Sequence, residues 1–162
     1  MKVEQLMTRD VKVCSEADSL NRAAQLMWES DCGCVPVISA NGDGHLFGIV
    51  TDRDIAMAAY TQGRHLSAIP VGTAMAKTVI ACQASDGISR AEALMRDNKV
   101  RRLPVLDENG YVVGVISLND MAREAMRQAS MGKRAEVKED AVAETLACVC
   151  QPRASHEVAV AA

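Results

Sequence analysis

Two tetrapeptides carry the most chemically suggestive spacing in this 162-residue chain. Thr51-Asp52-Arg53-Asp54 and Ser117-Leu118-Asn119-Asp120 each follow a glycine and two aliphatic residues, so both read Gly-φ-φ-(Thr/Ser)-x-x-Asp. Each lies where an apolar strand hands over to a helix. Two chemistries fit that position. In the first, the hydroxyl caps the helix and the acid three residues on reaches back, forming a capping box. In the second, the free N–H groups and partial positive charge of a helix N-terminus attract an anion such as phosphate. Arg53 and the hydroxyl add donors, and the carboxylate accepts the two hydroxyls of a ribose. The spacing alone leaves both open.

Other reactive residues are scattered. The six cysteines stand at 14, 32, 34, 82, 148 and 150, with no Cys-x-x-Cys and no zinc-type comb. Cys14 and Cys82 read as small core residues. The histidines, 45, 65 and 156, share no motif. No nucleophile–base pair and no P-loop occur, so catalysis is not expected. Four aromatic residues, Trp28, Phe47, Tyr60 and Tyr111, are too few for base-stacking recognition of single strands. A net charge of −3 argues against a phosphate-binding face for nucleic acid. No apolar run approaches the ~18 residues of a membrane span, and the start, Met1-Lys2-Val3-Glu4, lacks a secretory pattern. A cytoplasmic protein is expected.

The elements that must position the tetrapeptides come in duplicate. Residues 3–42 align with 71–110 at 13 identities in 40 positions, and 48–56 align with 114–122 after a two-residue gap. The shared marks include Cys14/Cys82, Asp18/Asp86, Leu26-Met27/Leu94-Met95, Pro36/Pro104 and Asn41-Gly42/Asn109-Gly110. Each copy predicts β-α-β-β-α. The first strand spans 11–14 or 79–82. A helix follows, capped by Asp18 or Ser19 in one copy and by Ser85 or Asp86 in the other. Val-Pro-Val or Leu-Pro-Val starts the next strand, or lies on an edge, because proline cannot donate to a ladder. Asn-Gly turns the hairpin, and a last helix runs to Gly63 or Gly132. The repeats divide at 1–66 and 67–134. Residues 135–162 have no counterpart and are expected to form a frayed extension and a flexible tail, with a partner-binding segment near Thr145-Leu146 as the alternative.

This doubled order resembles a tandem pair of CBS domains, a Bateman module, over residues 1–132. The resemblance implies a mixed α/β (α+β) fold of two repeats packed with pseudo-two-fold symmetry. It implies two clefts for an adenosine-containing regulatory ligand: AMP, ADP or ATP, with S-adenosylmethionine and NAD in the same class. Carried over residue by residue, one cleft takes Thr51, Arg53 and Asp54 from the first repeat and Thr78, Val79, Val100, Arg101 and Arg102 from the second. The other takes Ser117, Asn119 and Asp120, with Asp10, Val11, Cys32, Gly33 and Cys34 opposite. Arg53, Arg101 and Arg102 favour the Asp54 cleft for phosphate, although the Arg101-Arg102 pair also suits a solvated face. Asp10 and Asp31 disfavour phosphate in the Asp120 cleft. The resemblance further implies a homodimer through helix faces, with Ile55, Ala58, Ala59, Met121, Ala125 and Met126 as candidates, and a regulated partner protein. A ligand-free interaction scaffold is the alternative.

Overall fold

The structure, a computed structural model, describes residues 1–41, 44–131 and 135–151. Its elements are β1 (Cys14–Ser15), α1 (Leu20–Glu29), β2 (Cys34–Ile38), β3 (Leu46–Thr51), α2 (Asp52–Gln62), β4 (Cys82–Gln83), α3 (Ile88–Asn98), β5 (Arg102–Leu106), β6 (Val112–Ser117), α4 (Leu118–Ser130) and α5 (Glu139–Val149). Two three-stranded sheets form, ordered β1-β2-β3 and β4-β5-β6. In each, the first pair is parallel and the second antiparallel, in the same register.

The prolines set the limits of these sheets. Cys14 stands opposite Val37 and Cys82 opposite Val105, so one residue earlier the parallel ladder would meet Pro36 or Pro104. Neither has an N–H to offer. The first strands therefore begin at Cys14 and Cys82, not at 11 and 79. Both prolines lie inside strands rather than at their starts. Pro36 faces Ile49, whose own N–H and C=O turn away to Ala76. The proline nitrogen thus points to the side that the two-residue β1 leaves uncovered.

Two expected caps act differently. Ser19 caps α1 by accepting from Arg22 N, but α3 starts at Gly87 without a side-chain cap. Asp18 and Asp86 instead accept from Ser15 N and Gln83 N, each at 2.8 Å, and close the strand-to-helix turn. Gly63 ends α2 in the left-handed region, at φ 59°. Gly132 lies outside the described residues.

The packing units do not follow the sequential division at residue 66. Val3 and Met7 belong to the core of the second repeat; Ile69, Val71 and Met75 belong to the core of the first. Thr8 and Val115 exchange backbone hydrogen bonds of 2.9 and 3.0 Å, and Ala76 and Ile49 exchange bonds of 2.9 and 3.1 Å. Each repeat's leading segment completes the other repeat's sheet. The conserved form of the two halves at Gly48 and Gly114 reflects this. A Cβ on Gly48 would stand 2.6 Å from Met75 Sδ and 3.1 Å from Ala76 O; on Gly114 it would stand 2.5 Å from Met7 Sδ and 3.0 Å from Thr8 O.

Residues 139–149, expected to belong to a flexible tail, form α5, which packs on α3 and α4. Val137 and Val142 join the second core. Buried Gln128 accepts from Glu136 N and Val137 N, at 2.6 and 3.2 Å, and donates to Glu124, which Arg127 grips with two bonds. The N-terminal ammonium also pairs with Glu136. Sequence reading missed α5 because it has no repeat partner and only a short apolar stripe. The seam is imperfect: the buried atoms Glu92 Oε1 and Thr145 Oγ1 have no hydrogen-bond partner among the described residues.

Two predictions follow from this packing. Gly114→Ala overpacks the Met7 contact, and should cost about 1–3 kcal/mol of stability, read by chemical unfolding. Burial pushes the Glu92 carboxyl above its ordinary value, Asp140 adds to the rise, and Arg96 opposes it. A raised folded-state value means the fold binds an extra proton. Its stabilising contribution is full at low pH and is lost as pH climbs through the folded value. The gap in unfolding midpoint between wild type and Glu92→Gln should therefore shift in the variant's favour from pH 5 to pH 8. An unchanged gap would refute the assignment.

Candidate functional site

Thr51 ends β3 and Ser117 ends β6, and each forms a complete capping box. Thr51 Oγ1 donates to Asp54 Oδ2 at 2.7 Å and accepts from Asp54 N at 3.3 Å; Thr51 N donates to the same Oδ2 at 2.9 Å. The corresponding Ser117–Asp120 distances are 2.6, 3.2 and 2.9 Å. The capping reading is thus realised in both copies, and in each acid it engages only Oδ2. Among the described residues Asp54 Oδ1 has no hydrogen bond, whereas Asp120 Oδ1 pairs with Arg123. Asp54 is half-buried and Asp120 is buried.

A cavity of about 280 Å³ opens at Asp120. Its walls include Thr8, Asp10, Val11 and Lys12 from the leading segment, Asp31, Cys32 and Cys34 before and in β2, and Ser117, Asn119, Asp120 and Arg123 at the start of α4. The residues expected for this cleft from opposite repeats do meet here. Gly33 lines an adjoining cavity of about 580 Å³, together with Asp31, Cys32, Arg102 and Asn119. The turn that delivers Cys32-Gly33-Cys34 passes through Asp31 in the left-handed region, at φ 47°.

Thr51, Arg53, Asp54, Thr78, Val79, Val100 and Arg101 line neither cavity. Val100 packs against the second core; Arg53, Thr78 and Arg101 are exposed.

The charge argument for the Asp54 cleft also changes. Arg102 starts β5 and lines both the cavity at Asp120 and the larger one, which Asp52 and Ile55 of α2 also line. Its Nη2 lies 3.0 Å from where a Cβ on Gly33 would be, so glycine leaves it room. Lys12 and Arg123, not foreseen as site residues, also line the cleft. Lys12 pairs with Asp10 at 2.8 Å, so Asp10 is not a bare repelling charge. The sequence held one signal for Arg123, its position one turn after Asp120. No local signal revealed that Arg102 reaches across.

Burial dominates the thiols. Cys34 is pushed up to about 11 by burial, with Arg102 partly offsetting the rise. Cys14 and Cys82 are pushed up to about 12, burial again leading. All three are protonated at neutral pH and behave as small buried groups. The site can therefore offer a helix N-terminus, a hydroxyl, a carboxylate and a guanidinium to a polar ligand, beside the neutral Cys34 thiol.

Comparison with known proteins agrees with this architecture. The family model of the CBS domain matches twice, at residues 3–60 and 68–127. The CBS domain-containing protein YhcV of Bacillus subtilis is 34% identical over 130 residues, which are 80% of this chain and 89% of YhcV. The structure of CBSX2 in complex with AMP is 26% identical, with a TM-score of 0.67, covering 79% of this chain and 98% of that one. The homoserine O-acetyltransferase of Methanocorpusculum labreanum is 37% identical over 117 residues, 72% of this chain. That match spans only 23% of the enzyme, so it concerns one part of that protein. Matched in both of its repeats, the chain belongs to the CBS-domain family.

Proposed function

We propose that the protein is a regulatory sensor that binds an adenosine-type ligand in the Asp120 cleft and acts on a separate partner protein in the cytoplasm. One observation carries this reading: the segments 8–12, 31–34 and 115–123, distant in sequence, converge on one cavity that holds Ser117, Asp120 and Arg102. Asp120 would accept the ribose hydroxyls, and the α4 N-terminus with Ser117, Asn119 and Arg102 would take phosphate. Val11 and the Cys32–Cys34 turn would flank the adenine. The AMP held by CBSX2, a relative of similar fold, supports the ligand class. AMP, ADP, ATP, S-adenosylmethionine and NAD are the candidates. Because the cleft joins the two repeats, a ligand favouring one arrangement shifts the population of the other by its differential affinity.

The completed capping boxes favour a second reading, a scaffold in which both motifs only stabilise helices. Thermal unfolding with each nucleotide separates the two. A ligand at about 100 times its dissociation constant should add about 2.7 kcal/mol. Asp120→Asn should abolish that gain, and Asp54→Asn should preserve it. A gain lost only in Asp54→Asn would move the ligand to the other cleft. No gain with any member of the panel would leave the scaffold.

We also propose homodimerisation, with a changed surface. Of the expected interface residues, Ile55, Ala58, Met121 and Ala125 are buried within the chain's own cores. Of the expected residues Met126 is exposed, at 64%, and Met57 and Tyr60 of α2, at 48% and 82%, add exposed apolar area. Tyr60→Glu should shift the sedimentation coefficient from dimer to monomer; an unchanged coefficient would exclude that surface.

A further inference from the structure

The Asp120 cleft does not end at Arg102. The larger cavity, about 580 Å³, shares Asp31, Cys32, Arg102 and Asn119 with the smaller one, about 280 Å³. The inner volume alone is at the low end for small-molecule sites, roughly 300–1,000 Å³. With the outer one, an elongated ligand has about three times the inner volume to reach.

The chemistry changes along this path. The inner end holds the Ser117–Asp120 carboxylate and the α4 N-terminus. At the junction the Arg102 guanidinium makes no hydrogen bond or ion pair among the described residues. The outer part is lined by the carboxylates Asp31 and Asp52, by an apolar floor of Met27 and Ile55, and by Trp28. Trp28 is 88% exposed, so its indole is packed against neither repeat.

This order selects among ligands. A polyphosphate tail running outward past Arg102 would meet two carboxylates and be repelled. A neutral or cationic group would not. Ribose hydroxyls donate readily to carboxylates, and an aromatic base stacks on an exposed indole. A cationic ring gains further from the indole face.

We propose that the joined cavities take an adenine dinucleotide. Its adenosine lies at Asp120, its pyrophosphate at Arg102 and Asn119, and its second nucleoside in the outer cavity, with the base against Trp28 and the ribose toward Asp31 or Asp52. The inner half of this assignment rests on the adenosine reading given above; the outer half is independent of it.

The probes are NAD+, AMP and ATP, titrated calorimetrically into the full chain at one salt concentration. NAD+ should bind at least tenfold more tightly than AMP or ATP, and Trp28→Ala should remove that advantage while AMP affinity stays the same. Trp28 is the chain's sole tryptophan, so intrinsic fluorescence gives a second readout: NAD+ should quench it and AMP should not. Equal affinities for NAD+ and AMP, or ATP as the tightest ligand, would overturn the dinucleotide while leaving the adenosine reading intact. NAD+ binding that neither quenches Trp28 nor weakens in Trp28→Ala would overturn the outer subsite. Absence of binding by all three would overturn both.

Discussion

The molecule depends on a reciprocal exchange between its halves. Neither three-stranded sheet satisfies its own outer edge: the N–H and C=O of Ile49 and of Val115 point away from their sheets, where exposed strand edges leave groups to be paired. Ala76 and Thr8 pair them, and each comes from the segment that leads into the opposite repeat. Met75 and Met7 then press onto Gly48 and Gly114, where a side chain of any size would displace them. The same glycine opens the Gly-φ-φ-(Thr/Ser)-x-x-Asp motif. Its absence of a side chain is a packing requirement of the exchange, and the polar residues that follow inherit a fixed position from it.

That exchange also explains why the cleft lies between the repeats. The chain that pairs with Val115 through Thr8 continues directly into Asp10, Val11 and Lys12, which form one wall; Ser117 and Asp120 follow Val115 on the opposite wall. One short ladder thus sets the width of the cleft. A ligand held there touches the segment that ties the halves together, which is the arrangement a binding event needs to affect the geometry of both.

Much of this was legible in the sequence, for identifiable reasons. The repeat, the helix stripes and the proline and Asn-Gly punctuation all act locally, and they mark the two β-α-β-β-α units. Both capping boxes formed as their spacing requires. The extent of β1 and β4 was misread because it depends on which residue stands opposite a proline in the partner strand, a matter of register. The ownership of Val3 and Met7 was hidden because nothing local says that a segment packs on the other repeat. α5 was hidden because it has no repeat partner and its apolar residues, mostly small, are weakly patterned; Val142 counts only once the α3–α4 surface it covers is known. The preference for the Asp54 cleft treated Arg102 as acting where its backbone was expected. A side chain as long as arginine's, next to a glycine, is not bound by that rule.

The last point bears on how a symmetric frame acquires an asymmetric site. Cys34 and Arg102 occupy equivalent positions, at the starts of β2 and β5. The thiol is short, buried and protonated, with the cleft's guanidinium partly offsetting its burial. The guanidinium is long and half-buried, and it lines both the cavity at Asp120 and the larger cavity beside it. The guanidinium makes no ion pair among the described residues, although the Asp31 and Asp52 carboxylates line the larger cavity with it, so it keeps donors for an anion brought by a ligand. Asp120, already matched by Arg123 and Ser117, does not supply it. The duplicated backbone repeats the motif in both halves; one exchange of a thiol for a guanidinium is what makes the proposed Asp120 site differ in charge from its counterpart.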